Sequence, residues 1–296
     1  MMLSLPARPQ LDRAQILKAA ASIGVVGTGS HSAPRMMAML CNPRVSARDV
    51  ASLVDKEPAM YARVLRVANS PYYGQARSIA SIDRALVLLG LDAVRGIVAA
   101  ACLDRTLALG SDESPIDLRA LACHSFATAV AAESLARIQH QSLASEAFIA
   151  GLLHNLGIAM QISLDLPGIN AMIDVRRTDT TSDIRLLESQ HAAVGHEECI
   201  AAIFEEWQLP PSLVAAVRHH HDPMGAPVVH RALAGLVNLG ANLGLACGNT
   251  FTLEPGPVNR NLGAMTHLGL AEGDLNRVEI ALPGRVAELR SVLLNA

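Results

Sequence analysis

Aromatic residues are scarce in this sequence of 296 residues: four Phe, three Tyr and one Trp make up 3% of the chain. Sandwiches and barrels are built from strands that favour aromatic and β-branched side chains, and no segment here alternates apolar and polar residues convincingly. The apolar fraction is nevertheless 51% and consists mainly of Ala, Leu, Val and Ile. This composition suits closely packed helices and predicts an all-α fold.

An excess of charge of one sign is also absent. Lys and Arg number 24 against 27 Asp and Glu, which leaves a formal net charge of −3. Such a balance supplies no positive field that would attract phosphate groups, so a nucleic-acid partner is not expected. The high apolar content excludes a disordered chain, and a chain of this length can bury a large core.

Cysteine patterns and long hydrophobic runs are missing as well. The five cysteines are odd in number and lie at least 21 residues apart, which excludes a paired-cysteine metal site and a disulfide framework. They are typical of small buried side chains in a reducing compartment. The first residues lack the basic and apolar regions of a signal peptide, and no uninterrupted apolar run approaches 18 residues. We therefore expect a cytoplasmic protein without a membrane partner.

Turn and capping residues divide the chain into two packed helical subdomains. The clearest internal loop is Gly110–Pro115. It separates an N-terminal arm over 1–30 and a first helical subdomain over 31–110 from a second subdomain over 116–223, which C-terminal helices over 224–296 complete. Ser46 and Ser81 are predicted to cap helices. In the second half, helices are predicted over 117–139, 145–163, 182–188, 191–207, 212–220, 230–247 and 274–294.

Histidine is the residue type whose placement says most about function. Several of the 11 histidines lie inside or at the ends of apolar helices, where they and two amides could converge on one site: His124, His154, His191, His220, His221, Asn155 and Asn242. The alternative for each ring is a core histidine that is satisfied by hydrogen bonds. The histidines without such a context are predicted to be surface or capping residues: His31, His140, His196, His230 and His267.

A second candidate site is the loop Asn69–Gly74, which contains two of the three tyrosines. One interpretation is a recognition or switch surface formed by Asn69, Ser70, Tyr72, Tyr73 and Gly74. The other interpretation is structural: the Asn amide and the Tyr hydroxyls tie a bend between two helices, and the rings fill the gap between the subdomains.

Residues 81–98 are predicted to form a helix, a glycine turn and a second helix, which is also the pattern of a DNA-binding helix-turn-helix. A DNA-reading helix presents several basic or amide side chains to bases and phosphates. Only Arg95 and Arg105 are basic between Asp92 and Leu109. We therefore favour a helical hairpin in the core and keep a DNA-binding regulator as an alternative.

Five segments resemble, in chain order, the landmarks of the HDOD domain, an HD-related output domain of bacterial signalling: Asn69–Gly74, Ile79–Leu91, Gly151–Gly157, His191–Gly195 and Val217–Pro223. The resemblance covers about residues 34–223. It implies a multi-helix bundle related to the HD phosphohydrolases, in which a His, a His-Asp pair and a later Asp hold divalent metal ions.

The resemblance also implies which residues correspond to that metal site. His124 corresponds to the first histidine, His154 with Asn155 to the pair, and Asn242 to the closing aspartate. His191 and either His220 or His221 correspond to the additional histidines of dinuclear relatives.

Both expected aspartates are therefore asparagines, Asn155 and Asn242. An amide supplies one neutral carbonyl oxygen and no negative charge, so a magnesium or manganese hydrolase is not expected and no cofactor is required. The imidazoles could still hold zinc or iron at a vestigial site. The resemblance implies a regulatory protein that acts through a protein partner. The alternatives are a metal-dependent phosphohydrolase with an imidazole-rich centre and the helix-turn-helix regulator.

Overall fold

The computed structural model describes residues 12–26, 37–39, 41–42, 44–74, 78–107, 116–254 and 260–293. These residues contain fifteen α-helices and no strand apart from one isolated bridge between Phe251 and Glu254, which confirms the predicted all-α class. In chain order the helices are α1 (Arg13–Val26), α2 (Ala47–Val54), α3 (Pro58–Ala68), α4 (Ile82–Leu89), α5 (Leu91–Leu107), α6 (Leu118–Gln139), α7 (Ala144–Leu153), α8 (Leu156–Leu164), α9 (Leu166–Arg176), α10 (Ile184–His191), α11 (His196–Glu206), α12 (Pro211–Arg218), α13 (Arg231–Ala246), α14 (Leu262–Leu268) and α15 (Glu272–Leu293).

Local sequence signals explain where several helices begin and end. Ser46 forms a capping box with Asp49 at the start of α2, and Ser81 accepts a hydrogen bond from the Arg84 N–H at the start of α4. Gly90 ends α4 in a left-handed conformation, with φ of 79°. These ends follow the sequence prediction because they depend only on neighbouring residues.

Two helical segments differ from the prediction. The single helix predicted over 145–163 is two helices, α7 and α8, separated by a turn at His154 and Asn155. No helix is predicted between residues 163 and 182, where Pro167 is a residue type that often ends helices. The structure places Pro167 in the first turn of α9, where the missing N–H of proline costs no hydrogen bond. The predicted loop Gly110–Pro115 lies outside the described residues.

The buried residues form a single core that extends from Ile16 in α1 to Val286 in α15. Helix α1 packs on α11, and Arg13 pairs with Glu198 there, so the described part of the predicted arm belongs to the packed structure. The division into two subdomains remains a prediction.

The helix backbones approach one another closely, so few large aromatic side chains are needed to fill the core. Helix α6 packs against α7, α13 and α15. A Cβ atom added at Gly151 of α7 would lie 2.9 Å from the Ala129 Cα of α6, and one at Gly240 of α13 would lie 2.8 Å from the Thr128 carbonyl oxygen. Glycine and alanine fill these contacts without voids, as close packing of the core requires.

One helical stretch among the described residues, Gln141–Leu164, is long and apolar enough to cross a membrane by length and composition. It comprises α7 and α8, and 89% of its most apolar window is buried inside the protein. A core helix passes the same test, so this finding is weak evidence for a membrane segment.

Gly157 provides a test of the packing. A Cβ atom at Gly157 would lie 2.0 Å from the His196 carbonyl oxygen, so Gly157→Ala should force α8 and α11 apart. We expect the free energy of unfolding to fall by about 1–3 kcal/mol, measured by urea denaturation. Gly273→Ala in the exposed first turn of α15 is the matched control, since its Cβ would meet nothing within 4 Å. Equal stability of the two variants would contradict this packing.

Candidate metal centre

Five histidines from separate parts of the chain meet inside the helical bundle. His124 comes from α6, His154 from the turn between α7 and α8, His196 from the start of α11, and His220 and His221 from the turn after α12. Neighbouring ring centroids lie 5.3 Å apart for His124 and His154, 4.9 Å for His154 and His220, and 4.2 Å for His220 and His221. We call these five residues the histidine cluster.

The cluster is almost closed to solvent. His124, His154 and His196 are 0% exposed and His220 is 1% exposed, while the His221 side chain is 17% exposed. Burial of a polar ring is costly unless its nitrogens find partners.

Backbone carbonyl groups determine which way three of the rings point. The Nδ1 atom lies 3.0 Å from the Asn249 oxygen for His124, 2.7 Å from the Gly151 oxygen for His154 and 2.8 Å from the Val217 oxygen for His220. A carbonyl oxygen only accepts hydrogen bonds, so Nδ1 must donate. In a neutral ring the lone pair then lies on Nε2.

His154 and His220 are oriented by the same kind of hydrogen bond. Each donates Nδ1–H to the carbonyl of the residue three positions earlier, in the last turn of α7 or α12. Carbonyl groups in the last turn have no partner within their own helix. The two helix ends thus orient the rings and satisfy their own carbonyls at the same time.

The Nε2 atoms meet at the centre of the cluster. His196 Nε2 lies 3.2 Å from His220 Nε2 and 3.3 Å from His221 Nε2. Within the described part of the chain, these three residues form the group whose ligand atoms all lie within 4.8 Å of one another. Nitrogen ligands of a tetrahedral zinc ion at about 2.0–2.1 Å are separated by about 3.3 Å. The three imidazoles are therefore spaced as ligands of one metal ion.

His154 and the adjacent Asn155 bring several buried polar atoms to the cluster. The Nε2 atom of His154 and both amide atoms of Asn155 are buried, and no hydrogen-bond partner is found for them in the described part of the chain. Asn155 is 1% exposed. Its amide approaches the Glu254 carboxyl closely enough to favour the charged form of that group, but without a well-aligned hydrogen bond. Unpaired buried polar atoms of this kind fit a site that takes up a ligand.

Three carboxylates accompany the imidazoles, none of which was predicted. Glu254 Oε2 lies 3.6 Å from His124 Nε2, and its Oε1 lies 3.4 Å from His221 Nε2. Glu188 Oε1 lies 2.8 Å from His196 Nδ1, and Glu197 Oε1 lies 3.8 Å from His220 Nδ1. The centre therefore contains carboxylates at positions that the sequence analysis did not single out, while Asn155 stands where the resemblance implies an aspartate.

The environment separates the protonation states of these groups. Burial lowers the pKa of His124 to about 4 and, together with the neighbouring imidazoles, keeps the pKa values of His154 and His220 well below 6.5. Burial also disfavours a charge on His196, but the adjacent Glu188 outweighs it and raises the pKa of His196 to about 9. Burial raises the pKa of Glu254 to about 7.

Some predicted site residues lie elsewhere. His191 is a partly exposed residue at the end of α10, and none of the interactions found among the described residues joins its ring to the cluster. Asn242 lies on α13 and donates to Asn238 Oδ1 at 3.4 Å. It borders a cavity of about 660 Å³ that also touches His221 and Glu254.

His196 is the clear error of the sequence interpretation. It was predicted as a surface or capping residue, yet it is fully buried and touches two other imidazoles. The first turn of a helix is usually exposed, but the start of α11 packs on Gly157 and Glu188. Only tertiary packing reveals this position.

Asn69 ties the loop Asn69–Gly74 to a later segment, in agreement with its structural interpretation. Its amide nitrogen donates to the Leu65 and Ile79 carbonyls, both at 2.8 Å, and its oxygen accepts from the Ile79 N–H at 2.7 Å.

The other described residues of the loop lie in different surroundings. Ser70 is half-buried, with no hydrogen-bond partner found for its hydroxyl among the described residues. Tyr73 packs on the core, and Gly74 adopts a left-handed φ of 56°. The side chain of Tyr72 lies outside the described residues.

The helix-turn-helix pattern belongs to the core. Val94, Ile97 and Val98 of α5 are at most 1% exposed. Arg95 pairs with Asp92 at 3.0 Å, and its side chain is only 15% exposed. A helix buried on this face does not offer the basic surface that a DNA-reading helix needs.

Comparisons with known proteins identify the family and the fold. A model of the HDOD domain family matches residues 28–223. An uncharacterized protein of Treponema pallidum (strain Nichols) is 26% identical over 197 residues, which are 66% of this chain and 37% of that protein. The chain thus spans little more than a third of the length of this curated relative.

Solved structures share the fold. A Marinobacter aquaeolei VT8 protein, named provisionally as a signal transduction protein, has a TM-score of 0.75 and 22% identity over 89% of this chain and 59% of its own. An HDOD domain protein of unknown function from Geobacter sulfurreducens has a TM-score of 0.72 and 22% identity, covering 95% and 98%. A Shewanella amazonensis SB2B protein, named provisionally as a phosphohydrolase, has a TM-score of 0.71 and 21% identity, covering 94% and 97%. Similarity at this identity shows the fold alone.

The buried imidazoles predict that the metal-free protein loses stability as the pH falls from 7 to 5. The unfolded chain binds protons near pH 6.5 that the native cluster excludes, so the free energy of unfolding decreases by up to about 1.4 kcal/mol per pH unit for each such ring. Glu254 and His196, whose pKa values are raised to about 7 and about 9, have the opposite effect and offset part of this loss.

Urea denaturation at pH 7, 6 and 5 in the presence of a chelator measures this dependence. His154→Gln should make the pH dependence less steep, whereas His267→Gln, at an exposed position of α14, should leave it unchanged. A free energy of unfolding that does not decrease towards pH 5 would contradict the buried, neutral cluster.

Proposed function

Because the chain belongs to the HDOD domain family, we propose that it is a regulatory signalling module that acts by binding another protein, and that its histidine cluster holds a metal ion without hydrolysing phosphoesters. The observation that carries this proposal is the closure of the cluster: four of its five imidazoles are at most 1% exposed. A phosphoester has no direct access to these four rings.

The ligands favour a borderline transition metal over magnesium. Imidazole nitrogen suits zinc and iron, whereas magnesium prefers oxygen ligands and retains bound water. His196, His220 and His221 would hold the ion, with Glu254 within reach as an oxygen ligand. The bound ion would join the start of α11 to the turn after α12, so it would stabilise the arrangement of these helices.

The residue after His154 supports a centre without hydrolase activity. Asn155 offers a neutral amide at the position where the resemblance to HD enzymes implies a carboxylate. Two metal ions bridged by that carboxylate would activate water in an HD hydrolase. An amide provides neither the second oxygen ligand nor the negative charge for such a bridge.

A metal-dependent phosphohydrolase remains the second candidate because of one observation. The cavity of about 660 Å³ reaches His221 and Glu254, and Glu254 supplies a carboxylate beside the imidazoles. A substrate in this cavity would contact the edge of the cluster, whereas the rest of the cluster lies behind it.

Metal analysis combined with a phosphodiesterase assay separates the two functions. We expect about one zinc or iron ion per chain, lost in His220→Ala and retained in His267→Ala, and no turnover of bis-p-nitrophenyl phosphate or cyclic dinucleotides. Turnover that depends on bound metal and disappears in His154→Ala would contradict the regulatory proposal.

The protein-binding part of the proposal needs its own measurement. A partner recovered by pull-down from the native organism should form a stoichiometric complex when both purified proteins are mixed, as observed by size-exclusion chromatography. The complex should form without nucleotide turnover. Recovered proteins that form no complex after purification would count against the proposed mode of action.

A further inference from the structure

A hydrogen-bonded chain of Gln161, Glu188 and His196 lies behind the histidine cluster. Glu188, on α10, is 4% exposed, and its Oε1 accepts hydrogen bonds from Gln161 Nε2 at 2.7 Å, from the His196 backbone N–H at 2.8 Å and from His196 Nδ1 at 2.8 Å. Three donors therefore converge on one oxygen atom.

This arrangement favours a charged carboxylate. All three contacts bring N–H donors to the same buried oxygen, and an ionised carboxylate accepts such hydrogen bonds more strongly than a neutral carbonyl does. His196 also differs from three other rings of the cluster, whose Nδ1 atoms bond to backbone carbonyls. The Nδ1 atom of His196 instead makes its hydrogen bond, at 2.8 Å, to the Glu188 carboxylate.

We propose that Glu188 is the positioning residue of the metal centre: by holding Nδ1–H of His196, it presents Nε2 to the ion, and it supplies part of the negative charge that a buried dication needs. This inference rests on the proposed metal-binding function. Carboxylates that hold the outer nitrogen of a ligating histidine fix its tautomer and increase its basicity.

The surroundings hold Glu188 in place from two sides. Gln161 of α8 also donates to the Val194 carbonyl at 2.7 Å, which fixes its amide. A Cβ atom at Gly195 would lie 3.2 Å from Glu188 Oε2, so the backbone before α11 lies against the carboxylate. Helix α8 also begins directly after Asn155. The hydrogen bonds of Gln161 and Glu188 therefore link α8 and α10 to His196 at the start of α11.

Substitution of Glu188 tests its role while leaving the cluster ligands intact. Glu188→Gln keeps the shape but removes the charge, and we expect it to weaken Zn²⁺ binding by about 10- to 100-fold, measured by competition with a chromophoric chelator. The visible absorption spectrum of the Co²⁺-loaded variant should also change, because His196 is presented differently. Glu188→Asp, which keeps the charge on a shorter side chain, should restore part of the affinity.

Glu198→Gln is the matched control. Glu198 lies two residues after His196 on the same helix, but its side chain is 29% exposed and pairs with Arg13. We expect wild-type Zn²⁺ affinity and an unchanged Co²⁺ spectrum for this variant. A loss equal to that of Glu188→Gln would show a general charge effect and overturn the positioning role.

A measurement on the wild-type protein keeps the inference testable if Glu188→Gln does not fold. Long-range ¹H–¹⁵N NMR of the Zn²⁺-bound protein identifies which nitrogen of each imidazole carries hydrogen. We expect His196 to keep its hydrogen on Nδ1 and to bind metal through Nε2, and the opposite tautomer would overturn the proposal.

The outcomes distinguish this inference from the proposed function. If wild-type protein binds neither Zn²⁺ nor Co²⁺, the metal centre itself is wrong and the role of Glu188 falls with it. If wild-type protein binds metal and Glu188→Gln binds it equally well with the same spectrum, only the positioning role is wrong.

Discussion

Desolvation of imidazole rings is the constraint on which the rest of this structure depends. A buried polar group without a partner costs free energy comparable to that of several apolar contacts. Here the Nδ1 atoms of four rings are hydrogen-bonded to three backbone carbonyls and to Glu188. The Nε2 atoms of His196, His220 and His221 lie next to one another. Helix ends and turns surround the cluster because they supply carbonyl groups that helix interiors do not.

The charges of the centre follow from the same constraint. Burial keeps most of the rings neutral, so they can act as nitrogen ligands, whereas at His196 the carboxylate of Glu188 outweighs burial and favours the protonated ring. Glu254 closes the other side, between His124 and His221. The three carboxylates of Glu188, Glu197 and Glu254 thus lie at the periphery of the imidazoles.

Tight packing of the helices holds the residues of the histidine cluster in these positions. The backbones of α6, α7 and α13 approach so closely that glycine is needed at Gly151 and Gly240, and the contact between Gly157 and His196 brings α11 against α8. Such contacts leave little room for large side chains. The low aromatic content of the chain and the precise placement of His196 therefore have one physical origin, which is the short distance between helix backbones.

Local and periodic features of this protein could be read from its sequence. The all-α class followed from composition and apolar periodicity, and the caps at Ser46 and Ser81 followed from neighbouring residues. His124, His154, His220, His221 and Asn155 were predicted site residues because polar side chains inside or at the ends of apolar helices could converge on one site. The resemblance to a family motif then gave Asn155 the place of an aspartate.

Tertiary structure alone decided the remaining members of the site. His196, Glu188 and Glu254 look in the sequence like ordinary surface residues, and their roles come from contacts between segments that are far apart in the chain. For His191 and Asn242 the sequence predicted a position in the site, but in the structure His191 lies outside the cluster and Asn242 borders the cavity at its edge. Sequence periodicity determines which face of a helix is buried, but the partners on that face depend on how separate helices pack, which no local pattern encodes.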